Sequence, residues 1–122
     1  MPSHTRLDAA IIEAKRGSHP GASAYDTDIG DALGIHEFGL YQVELPAGCV
    51  TVAHDHATDG AEDAYAVIRG SGVVVVDGTE VSLASGEFIA VRPEAVRHVR
   101  AGPDGLAFIA VCAPAYPGTS RA

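Results

Sequence analysis

The sequence predicts an all-β sandwich or barrel preceded by one short helix, and three observations carry that expectation. From Gly34 onward, short β-rich runs recur between turn signals at the spacing of a sandwich or barrel. The turn signals are chemically specific: Pro46-Ala47-Gly48, Asp77-Gly78, Ser85-Gly86 and Pro103-Asp104-Gly105 each supply a residue suited to a tight turn. Finally, Val50, Val52, His54 and His56 fall two apart, so one strand face starts apolar and ends in two imidazoles.

Taken in order, Thr5 to Arg16 has the marks of the helix. Thr5 and Asp8 can form a capping box, Leu7, Ala10, Ile11 and Ala14 share a face, and Gly17 follows Lys15-Arg16 as a stop. A dozen residues are marginal as a helix in water, so this one must lie on the barrel or on a partner subunit. Residues 17–34, rich in Gly, Ala, Ser and Asp, read as an irregular linker. The expected strands are Ile35 to Leu45, Cys49 to His56, Asp63 to Arg69, Val73 to Val76, Thr79 to Leu83, Phe88 to Val91, His98 to Arg100 and Leu106 to Val111. Asp77-Gly78 joins two of them as a two-residue hairpin. Tyr41 and Gln42 sit on opposite faces of the first strand, and only one of them can look inward. The organisation is therefore an N-terminal helix and linker over 1–34, a single barrel over 35–113 and an extended tail over 114–122, the tail carrying Pro114 and Pro117.

A chain of 122 residues suits one domain with a real core, and 47% hydrophobic with 20% charged residues is an ordinary globular balance. The net charge of −8 argues against nucleic acid and anionic membranes as partners, since both call for a positive field. No apolar stretch is long enough to span a bilayer, and the N-terminus lacks the layout of a signal peptide, so a cytoplasmic location is expected. Cys49 and Cys112 have no metal-knuckle or C-x-x-C spacing and read as two reduced thiols on strands.

His54 and His56 can reach one ion together. The next run returns through Asp59-Gly60, a strong turn dipeptide. If that hairpin is symmetric, His56 lies opposite Asp63, His54 opposite Tyr65 and Val52 opposite Val67, which places a carboxylate beside two imidazoles. Glu62 points to the other face in this register, and a bulge in the loop would exchange the two acids, so Glu62 stands as the rival to Asp63. Tyr65 faces the cavity, where it either fills the core or serves in a supporting or acid/base role. Arg69 shares the inward parity of Asp63, and its planar fork suits a substrate carboxylate. Arg92, Arg97 and Arg100 read as solvated surface residues.

A third histidine, His98, lies in Val96-Arg97-His98-Val99-Arg100, after Gly86 and Pro93. Gly48-x5-His54-x-His56, then Asp63 with six residues before Gly70, then Gly86, Pro93 and His98, resembles the paired motifs of the cupin superfamily over roughly 48–102. Asp63 stands where that pattern has Glu, and Ala95 and Gly102 stand at two of its turn positions. The resemblance implies a cupin double-stranded β-helix, a jelly-roll barrel of the RmlC-like kind, with His54, His56 and His98 as metal ligands and Asp63 as the fourth. It also implies a homodimer.

Three imidazoles and a carboxylate suit one divalent transition metal per chain, Fe, Mn, Ni, Zn or Cu, and affinity alone does not choose among them. Four protein ligands on an octahedral ion leave two positions open, which permits catalysis. The expected function is that of a metal-dependent cupin acting on a small polar or carboxylated molecule, of dioxygenase, isomerase or lyase type. A non-catalytic binding or sensing module, and a barrel whose metal is purely structural, remain open alternatives.

Overall fold

The computed structural model describes residues 3–9 and 25–115. Within them the chain forms β1 (Asp26–Asp28), α1 (Ile29–Leu33), β2 (Gly39–Leu45), β3 (Glu62–Val76), β4 (Thr79–Ala84), β5 (Phe88–Val91) and β6 (Arg97–Ala113). All pairings are antiparallel, in the order β1-β2-β6-β3-β4, with β5 on the free side of the first part of β3. The all-β jelly-roll architecture is thus present.

Two long strands organise the barrel. The first part of β3 lies between β5 and the end of β6, and its second part lies between β4 and the start of β6. Runs expected as separate strands, Asp63 to Arg69 with Val73 to Val76 and His98 to Arg100 with Leu106 to Val111, are each continuous through an irregularity. Register shifts fall between Val67 and Arg69 and between Gly70 and Gly72, where Gly102 to Gly105 bulge from the opposing strand. The close approach there explains Gly70: its φ is +75°, and a Cβ on it would collide with the Gly105 carbonyl.

The first shift changes which residues of β3 face inward. Asp63, Tyr65 and Val67 are buried before it, whereas Gly72 and Val74 are buried after it. Tyr41, Val43 and Leu45 of β2 supply another wall, which settles the Tyr41 and Gln42 alternative in favour of Tyr41. These side chains join Leu83, Val99, Leu106 and Phe108 in one contiguous core. The Asp77-Gly78 hairpin forms as expected, with φ of 49° and 82° and Val76 opposite Thr79.

Two expectations near the N-terminus need correction. The described part of the Thr5–Arg16 segment is not helical from Thr5 to Asp8, and residues 10–16 lie outside the described residues. The helix that is seen, α1, lies within the stretch expected to be irregular, and so does β1, which pairs with β2. Local chemistry makes α1: Asp28 caps it by accepting from the Asp31 amide at 2.9 Å, and Gly34 ends it in the left-handed conformation. Aspartates and glycines counted as linker composition are the caps of a short element.

Candidate metal centre

The segment expected as a hairpin partner of β3 pairs elsewhere. Val50 bridges Arg100 and His54 bridges Arg97, so residues 49–54 run beside the start of β6. Backbone bonds between Thr51 and Val99 and between Ala101 and Cys49 complete this edge. The register opposite Tyr65 and Val67 therefore does not occur, because β5 and β6 occupy both sides of that part of β3. His54, His56 and Asp63 nevertheless meet, with ligand atoms all within 4.8 Å of one another.

Each imidazole is oriented from behind. His54 Nδ1 lies 3.0 Å from the Val52 carbonyl, to which it can only donate, so Nε2 keeps its lone pair. His56 Nδ1 lies 3.1 and 3.2 Å from the two oxygens of Asp59, while its Nε2 lies 3.4 Å from Asp63 Oδ2. The two rings meet edge to face, with centroids 5.1 Å apart. A carboxylate or carbonyl on the far nitrogen is the arrangement that fixes tautomer and ring orientation in metal-binding histidines. Asp59, which sequence places in a turn, is thus the residue that aims His56.

Asp63 is buried and collects several donors. Tyr65 donates its hydroxyl to Oδ2 at 3.1 Å, and Arg97 Nη1 donates to the same oxygen. Burial alone would push the Asp63 carboxyl upward, but His56 and Arg97 outweigh it and hold the group below its ordinary range. Bonding to Asp63 raises His56 against the opposing effect of burial, with Asp59 adding to the rise. Burial lowers His54, helped by the neighbouring His56 and Arg97. Burial also pushes the Tyr65 phenol upward, so it stays a donor.

The predicted residues sort unevenly. Glu62 lies on the exposed outer face of β3 while Asp63 points in, as strand alternation requires. His98 does not join the cluster: it is half-buried opposite Val75, on the face away from the core pair Val74 and Val99. Arg69 is corrected as well, since the shift after Val67 turns it outward, where its side chain is 69% exposed and pairs with Glu44 at 3.2 Å. Arg97 reverses the surface assignment and is fully buried. Sequence carried a signal for it, because Arg97 and Val99 share parity and Val99 is an evident core residue.

The three donors border a cavity of about 50 Å³, walled by Tyr41, Val43, Val99, Phe108 and Ala110 and also reached by Thr51, Asp26 and Cys112. One water occupies roughly 10–15 Å³ on this measure, so the space accommodates several waters or the end of a small molecule. Burial and the nearby Asp63 push the Cys112 thiol upward, which keeps it unreactive. Both cysteines are free, and Cys49 packs against the core with its Sγ 3.8 Å from the Tyr25 hydroxyl. Two imidazoles, His56 after giving up its proton, and an ionised carboxylate, each oriented by a neighbour, fit a divalent transition metal. With His98 absent, the set is three ligands rather than four.

No protein-family model matches the sequence, and no curated protein matches it either. Solved structures do share the architecture. A cupin protein from Bacteroides fragilis superposes with a TM-score of 0.73 at 19% identity, covering 93% of this chain and 86% of the other. An RmlC-like cupin from Desulfovibrio desulfuricans gives 0.67 at 20% identity, covering 95% and 99%. A predicted oxalate decarboxylase from Thermotoga maritima gives 0.63 at 21% identity, covering 73% and 78%. Among the described residues, no helix is long and apolar enough to cross a membrane.

Proposed function

We propose, on the premise that the chain has the cupin fold, that it is a metal-dependent enzyme acting on a small polar or carboxylated molecule. One divalent transition ion would be held by His54, His56 and Asp63. The observation that carries this is their convergence beside a largely apolar-walled cavity, with both histidines anchored through Nδ1. Two histidines and one carboxylate leave open positions on an octahedral ion, as in non-haem iron sites. A bound ion supplies Lewis acidity there, or oxygen activation if it is iron.

The remaining work falls to this chain. Val43, Val99 and Phe108 give the cavity apolar walls that lower the local dielectric, which strengthens polar interactions with whatever enters. Tyr65 holds Asp63 in orientation and, with its phenol pushed upward, serves as a hydrogen-bond donor rather than a base. The cavity's size favours entry of only the reacting end of a substrate. That the Thermotoga maritima relative is named a predicted oxalate decarboxylase supports a small carboxylated substrate as one member of this class. We also propose a homodimer, supported by Phe88 and Ile68, which are 76% and 50% exposed.

Elemental analysis of protein purified without a tag tests the site. About one ion per chain is expected in the wild type and in His98→Ala, and less than about a tenth in His54→Ala. A wild-type protein that stays below about a tenth of an ion per chain, under conditions that fill such ligand sets, overturns the reading.

A further inference from the structure

Arg97 is the charged group that the sequence reading put on the surface, and its setting is more specific than a buried ion pair requires. It is directly opposite His54 across the strand pair, with backbone bonds in both directions: His54 N to Arg97 O at 3.0 Å and Arg97 N to His54 O at 2.9 Å. Residues so paired project their side chains from the same face, so the guanidinium starts beside a metal-ligand candidate. Nε donates to the Ala95 carbonyl at 3.1 Å, Nη2 donates to the Arg92 carbonyl at 2.6 Å, and Nη1 reaches Asp63 Oδ2. A guanidinium has donors and no lone pair, so it cannot ligate a metal.

We infer that Arg97 is a positioning residue of the metal site, holding Asp63 by one carboxylate oxygen and filling an inward position with a group that cannot ligate. Resting on the proposed metal centre, this inference goes further by assigning its coordination number. Oδ2 of Asp63 accepts from both Arg97 and Tyr65, which commits its two lone pairs and makes Oδ1 the better donor for an ion. The carboxylate then binds through one oxygen, and the ion keeps three protein ligands. The carbonyl bonds to Arg92 and Ala95 fix the guanidinium, so it cannot swing away to let Asp63 chelate through both oxygens.

The alternative is that Arg97 only ties down the turn before β6. Titration of the full chain with Co(II), followed by the visible spectrum, separates the two roles. Arg97→Gln frees Asp63 and should weaken binding about 10- to 100-fold, the usual cost of losing a residue that orients a ligand. A folded Arg97→Gln that binds within twofold of wild type, with an unchanged ligand-field spectrum, overturns the inference. Should Arg97→Gln not fold, the wild-type protein loaded with Mn(II) provides the test through broadening of its magnetic resonance by oxygen-17 water. About three exchangeable waters are expected on a six-coordinate ion, and two or fewer overturns the assignment. Failure of the wild type to take up Co(II) or Mn(II) is a separate result, which removes the metal centre and this inference together.

Discussion

Replacing Asp63 by alanine should cost the metal-free protein about 3–5 kcal/mol, the range for breaking a buried pair by removing one partner. The structure places it there because Arg97 is fully buried and Asp63 nearly so. The truncation also strips an acceptor from the Tyr65 hydroxyl at 3.1 Å. Arg97 keeps its bonds to the Ala95 and Arg92 carbonyls, but these neutral dipoles do not balance its charge. With unfolding entropy of about 2.1 cal/mol/K per residue, a chain of this length loses roughly 4 °C of melting temperature per kcal/mol, so the drop should be about 12–20 °C. The assay is thermal unfolding by circular dichroism in excess chelator, which separates the ion pair from any contribution of metal. A second variant sharpens it: Asp63→Ala combined with Arg97→Met removes both charges and should recover much of the loss, because an apolar replacement of a buried pair is often neutral or stabilising. A drop under about 4 °C for Asp63→Ala, or a double variant less stable than the single, would refute the reasoning.

Two further outcomes follow from the site and the surface. Since His56 is raised and His54 lowered, at a pH near that of a free imidazole, about 6.5, the former is charged and the latter neutral. Metal uptake must then expel about one proton per ion and weaken as pH falls through the raised value, whereas Asp63, held low, stays ionised. Proton release during Co(II) titration in weak buffer measures this, and no release at that pH would contradict it. Phe88→Asp should leave the melting temperature within a few degrees but dissociate the proposed dimer in sedimentation, while a wild-type monomer at micromolar concentration would dispose of the dimer itself.

Much of the barrel was legible because a strand alternates and Asp-Gly turns are chemically distinctive. Val73 to Leu83 could be read as a hairpin from that alone. The same alternation separated Asp63 from Glu62. It failed wherever a strand gained a residue or its starting parity was free. Arg69 follows a shift that no local signal marks, and Arg97 and His98 differ by one position, so the strand's neighbours decide which enters the core. The partner of residues 49–54 was equally hidden. Short spacing favoured the strand after the turn, but the sheet gives that edge to β6, more than forty residues away. Long-range pairing of this kind has no signature in a local window.

The three donors lie within ten residues of sequence, whereas Arg97 comes from 34 residues beyond Asp63. An unfolded chain therefore already carries the whole ligand set on a short flexible loop, whose closure costs little entropy. What it lacks is the guanidinium and the dry wall. Affinity of the denatured ensemble for metal subtracts from the stabilisation that the folded site would otherwise confer, so holding the ion tightly and being stabilised by it are separable properties here.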